Sequence, residues 1–163
     1  MKARILFVPV LLLSLVGFAT AGQQAEKPWF DMKNCAMCSH LTENPELMQH
    51  MTWEHHKLDN GIISVTTVDR EYVDAYRAVS AEMQATADQL KAGKQLPLCG
   101  MCTAYGSLFA EGARLKRIDT ERGAIYLVTS DKPEVVKDIH AWADRTNDEM
   151  KKMMMLEHEG HQH

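Results

Sequence analysis

The sequence predicts an α+β protein made of two repeated β-α-β-β-α units packed with pseudo-twofold symmetry. Three observations lead there. Cys35-Ala36-Met37-Cys38 recurs as Cys99-Gly100-Met101-Cys102, 64 positions later. At an offset of 62, Gly61, Ile63, Thr67, Asp69 and Val73 meet Gly123, Ile125, Thr129, Asp131 and Val135. Each cysteine motif is then followed by the same succession of helical and alternating patterns, which marks an internal repeat. The step from 64 to 62 puts a two-residue deletion between the cysteines and the glycine of the second copy. A unit of roughly 60 residues buries little core alone, so the copies are expected to pack on each other.

The first 21 residues are read apart from the fold. Lys2 and Arg4 flank an apolar run over 5–18, and Ala19-Thr20-Ala21 matches the small-x-small pattern of a signal peptidase site. That run is short for a bilayer span, so no membrane insertion is expected after cleavage. Loss of the two basic residues takes the formal charge from −4 to −6. The mature chain is expected in a periplasm or outside the cell, where disulfides form readily. With 45% hydrophobic and 25% charged residues, wholesale disorder and collagen-like structure are excluded. An acidic chain with no long Lys/Arg run lacks the electrostatic footprint of a nucleic-acid binder.

The first repeat is assigned to residues 22–93. A short extended segment at 28–33 precedes Cys35, and a helix restarts at Pro45 and runs to 51. Residues 53–58 and 62–68 flank Asp59-Asn60-Gly61, and Asn-Gly between strand-like runs predicts a hairpin with a type I′ turn. Asp69 suits the cap of a helix whose Tyr72, Tyr76, Val79, Met83 and Leu90 share one face, with Gly93 at its end. The second repeat, 94–155, runs in the same order. An extended segment at 95–98 leads into Cys99, followed by a helix over 103–111 with Ala104, Leu108 and Phe109 inward. Strands at 114–119 and 124–129 flank Gly123. The final helix starts at Ser130 or Asp131, has Pro133 in its first turn, and buries Val136, Ile139, Ala143 and Met150. Residues 156–163 form a His-rich tail.

A CxxC pair at a helix start sits beside unpaired N–H groups and the positive end of the helix dipole. Both favour the thiolate, which is the form that binds soft metals or attacks disulfides. Three readings stay open at this point. Brought together, Cys35, Cys38, Cys99 and Cys102 supply four thiolates, which suits zinc. Each pair alone suits Cu(I), with thioethers of Met32, Met37 and Met101 nearby. Thiol–disulfide exchange fits the compartment. However, none of Pro28, Pro45, Pro97 and Pro133 stands where the cis-proline strand of a thioredoxin-like site is needed. Structural disulfides across the copies would add about 2–4 kcal/mol, although stapling needs one cysteine per copy and each copy holds a pair.

The order strand, CxxC, helix, strand, strand, helix resembles the heavy-metal-associated domains of copper chaperones and metal-transporting ATPases. Met32-Lys33-Asn34-Cys35-Ala36-Met37-Cys38 is similar to that family's M-x-C-x-x-C with one extra residue. The second copy, Leu96-Pro97-Leu98-Cys99-Gly100-Met101-Cys102, lacks the leading methionine. The resemblance covers 28–92 and 95–155 as a pattern of elements. It implies a ferredoxin-like plan in tandem, with the cysteines on the loop between first strand and first helix. It also implies binding or delivery of copper or zinc through Cys35, Cys38, Cys99 and Cys102, in contact with a periplasmic metal-handling or redox protein.

Among the histidines, His40 follows Cys38 by two and is the candidate third ligand, with Met32 as a thioether candidate. His55 and His56 are adjacent on a strand and point to opposite faces. The tail offers His158, His161 and His163, imidazole donors that suit copper, nickel or zinc. There is no G-x-S-x-G, phosphate loop or H-E-x-x-H, so no enzyme signature is present. The expected function is an exported metal carrier, buffer or sensor, with a periplasmic thiol–disulfide redox protein and a partner-binding module held by structural disulfides as the alternatives.

Overall fold

The structure is a computed structural model that describes residues 27–160, with side chains described as far as Met153. The expected signal peptide at 1–21 lies outside the described residues.

Two alternating segments form hairpins where the pattern predicts them. β1 (Met51–Leu58) pairs with β2 (Gly61–Val68), and β3 (Arg114–Thr120) with β4 (Gly123–Thr129). The two hairpins do not make separate units. They join through an antiparallel β2–β4 ladder into one four-stranded sheet of order β1-β2-β4-β3. The ladder is centred on Ser64↔Tyr126, two positions that are themselves 62 apart. Its ends pair Gly61 with Thr129 and Thr67 with Gly123, four of the residues matched in the self-comparison.

The glycines earn their place differently from the expectation. No described non-glycine residue has positive φ, so Asn60 does not enter a type I′ turn. Gly61 has φ +155° and Gly123 φ +142°. A Cβ on Gly61 would run into the carbonyl oxygen of Val128, and one on Gly123 into that of Thr66. Close approach of β2 and β4, not the turn, requires glycine at both positions.

Cross-strand partners share a sheet face. Ile62, Ser64, Thr66 and Val68 of β2 and Ala124, Tyr126 and Val128 of β4 therefore look the same way, and the helices pack there. α2 (Pro45–Gln49) and α3 (Val73–Lys91), the latter entered through a 3-10 turn at Arg70–Tyr72, cover the Val68 and Ala124 end with Leu47, Tyr76 and Val79. α4 (Gly100–Glu111) and α5 (Pro133–Gly160) cover the Ile62 and Val128 end with Leu108, Ile139 and Trp142. The inward stripe of α3 includes Val73, Ser80 and Thr86, and that of α5 is Val135, Ile139, Trp142, Ala143 and Thr146. Among the described residues, no helix is long and apolar enough to cross a membrane.

The strands expected at 28–33 and 95–98 do not form. Their backbone groups serve the opposite cysteine loop. The carbonyls of Pro28 and Trp29 accept from the N–H groups of Gly100 and Met101 at 3.0 and 2.9 Å, and Pro97 accepts from Ala36 at 2.9 Å. Each half thus runs from helix through hairpin to helix, with two short helices before the first hairpin and one before the second, and lacks the leading strand that the resemblance implied. Orphan N–H groups at the start of α4 are satisfied by this crossing segment, which is cheaper than leaving them buried and unpaired.

Candidate metal centre

The sulfurs are placed by turns and helix starts. Residues 32–34 and 36–38 are turns, and Cys38 caps the four-residue α1 (Ser39–Thr42). Cys99, with extended backbone at φ −70° and ψ 174°, caps α4, and Cys102 stands on its first turn. Gly100 lets the crossing segment lie close: a Cβ there would stand 3.2 Å from the carbonyl oxygen of Pro28 and 3.3 Å from Cα of Trp29.

The four sulfurs converge in one cluster. All four Sγ atoms lie within 4.8 Å of one another, with Cys38 3.8 Å from Cys99 and 3.7 Å from Cys102. A tetrahedron with metal–sulfur bonds of about 2.3 Å has edges of about 3.8 Å. A disulfide needs about 2.05 Å, and all four cysteines are free thiols. Cys35, Cys38 and Cys99 are buried, and Cys102 is partly buried.

Four adjacent thiols in this setting cannot all ionise. The hydrogen bond from Cys102 and then that from Cys38 hold Cys35 far below the usual thiol range against the opposing effect of burial, and the backbone N–H groups of Cys99 and Cys38 assist. Cys102 is pushed up because it donates to Cys35 and Cys38 and is buried. For Cys38, the hydrogen bond of Cys102 pulls downward. Its own bond to Cys35, burial, and the charges of Cys35 and Cys99 outweigh that pull and raise it. Without a cation, these shifts favour negative charge on Cys35 and protons on Cys38 and Cys102. A metal ion bound there would replace those protons and let the thiolates coexist.

The walls are aromatic. Trp29 belongs to the same buried cluster as three of the cysteines; its indole N–H is buried without a partner, and the Arg145 guanidinium lies 4.1 Å from its ring centre. Trp142 donates to the carbonyl of Met101 at 3.2 Å and packs against Tyr105, ring centres 4.8 Å apart. Met32 and Met37 are partly buried against this cluster. His55 lies behind Trp142, 4.8 Å between centres, with Nδ1 2.6 Å from Ser64 Oγ and Nε2 buried without a partner. Burial, helped by the neighbouring charge of His56, lowers its pKa to about 4.

His40 belongs to another group. The short α1 turns it toward α3, where Nε2 is 2.9 Å from Thr86 Oγ1 and Nδ1 is 3.4 Å from a Glu82 carboxylate oxygen. With Glu43 and Glu82 it forms a separate cluster within 4.8 Å. His56 is exposed beside Glu54, and His140 binds the carbonyls of Leu58 and Gly61 at 2.9 Å each, a structural role. His161 and His163 lie outside the described residues, as does the side chain of His158. Sequence reasoning missed the roles of Trp29, Tyr105 and Trp142; no spacing rule linked these scattered aromatics to the cysteines. Comparison with protein-family profiles, characterised proteins and solved structures returned no match.

Proposed function

We propose that this is an exported protein that binds one zinc ion in a shared four-thiolate site and acts as a metal carrier, buffer or sensor. The mutual approach of all four sulfurs within 4.8 Å carries the reading. Spacings of 3.7 and 3.8 Å suit the edges of a zinc–thiolate tetrahedron. Cu(I) is the competing ion; a two-coordinate site would use one pair and leave the other idle. The signal-like N-terminus supports export to a periplasm, and a metal-handling or redox protein there is the partner class this implies. We also read the chain as a duplicated unit. The repeated CxMC, the matches at offset 62 and a β2–β4 ladder centred on positions 62 apart support that reading. Thiol–disulfide exchange is the second reading, because the partly open Cys102 stands beside three further thiols and lies within reach of a substrate disulfide.

The test is metal analysis of the reduced protein, with cobalt substitution to read the ligand field. One ion per chain, lost equally in C38S and C99S, is expected, because either change breaks the shared site. Two ions per chain, with one kept in C99S, would mean two separate pairs and refute the shared site. A metal-free protein that reduces a disulfide substrate through Cys102 would establish the second reading instead.

A further inference from the structure

The four sulfurs are not equally reachable. Cys35, Cys38 and Cys99 are 1%, 3% and 2% exposed, whereas Cys102 is partly open. Cys102 sits on the first turn of α4, and the residue one turn further along the same face is Gly106. Helical side chains lean toward the N-terminus, so a side chain at 106 would lie over Cys102. Gly106 has none, and a Cβ built there meets nothing within 4 Å.

Backbone geometry does not demand this glycine. Gly106 is absent from the positive-φ positions, which are Gly61, Gly93, Gly112 and Gly123. It also lacks the close backbone neighbours that require Gly100. A glycine inside a helix weakens it relative to alanine, so neither conformation nor packing accounts for it. Around it on the helix surface, Thr103, Ser107 and Ala110 are exposed, whereas Tyr105 and Phe109 are half-buried. The helix surface one turn beyond the partly open Cys102 is therefore bare, a notch at Gly106, whereas buried aromatic and aliphatic side chains pack around the other three cysteines.

We propose that Cys102 is the exchangeable ligand of the site and that the notch over Gly106 is the port through which an acceptor thiolate reaches the ion. This rests on the four-thiolate reading. The incoming sulfur donates a lone pair to form a new metal–sulfur bond. The Cys102 Sγ–metal bond breaks with its electron pair left on sulfur, which then takes a proton from solvent. No atom changes oxidation state. The acceptor is a thiol on a narrow support, either a small dithiol or a cysteine on a projecting loop, because the notch is one residue wide. The other three sulfurs hold the ion until the acceptor completes the transfer.

The experiment compares zinc-loaded wild-type, G106A, G106L and S107L proteins. Stoichiometry is measured first, and transfer to the dithiol 2,3-dimercaptopropanesulfonate is then followed by stopped flow. Wild-type transfer should accelerate in proportion to dithiol concentration. G106L should keep one zinc per chain yet transfer at least tenfold more slowly, with G106A between the two and S107L like wild type. G106A carries the same comparison if the leucine variant does not fold. Wild-type protein without one bound zinc would refute the four-thiolate reading. Normal loading with equal rates in wild type and the Gly106 variants, or rates independent of dithiol concentration, would overturn the port alone.

Discussion

Replacing His55 with phenylalanine should flatten the acid sensitivity of the fold. His55 is 7% exposed, sits between the Trp53 and Trp142 rings, and has its pKa lowered from 6.5 to about 4. Between those two pH values the unfolded chain binds a proton that the folded chain refuses. Stability is therefore lost as pH falls through 6.5, and the loss ends below about 4. A shift of that size corresponds to about 3 kcal/mol, of which roughly 2.5 kcal/mol is already lost at pH 4.5. Urea unfolding from pH 7.5 to 4.5, with metal chelated and thiols reduced, measures this without interference from the sulfurs. Carboxylates titrate over the same range in both proteins, so the difference between wild type and H55F isolates the imidazole. That difference should move in favour of the variant by about 2–3 kcal/mol on acidification. Parallel pH curves, or an imidazole resonance titrating near 6.5, would refute the reasoning.

Other outcomes follow from packing. Leu47→Ala empties a fully buried site between α2 and the sheet and should cost about 2–5 kcal/mol in urea unfolding. Gly61→Ala would drive a Cβ into the Val128 carbonyl and part β2 from β4; circular dichroism should show a large fall in melting temperature, and an unchanged one would refute the close-approach account. Gly100→Ala should lift residues 27–29 off the start of α4, seen as a red shift of Trp29 emission and weaker zinc binding, with helix content kept.

Local pattern was the legible part of this chain. The alternation and glycines at 61 and 123 located both hairpins, and Pro45, Pro133 and Gly93 sit where helices begin or have ended. What failed depended on partners far along the chain. The strands expected at 28–33 and 95–98 rested on short Pro-bounded runs, and their carbonyls instead meet N–H groups of the opposite cysteine loop. Merging of two hairpins through β2 and β4 leaves no periodic trace, because edge pairing is decided by which backbones meet. The four cysteines were legible from CxxC spacing, but the choice between one site and two was not. His40 was assigned by proximity in sequence to Cys38, and the direction of a four-residue helix decides where it points.

The crossing of the halves has a consequence for when the site can exist. Cys38 and Cys99 meet across 61 residues, and the two hairpins share a single sheet. A polypeptide growing from the ribosome N-terminus first presents Cys35 and Cys38 well before Cys102 has emerged. Until then it offers only a lone dithiol, exposed to any passing oxidant or scavenging ion. An ion held by all four sulfurs would thus certify that synthesis has passed Cys102 and that both halves have found each other.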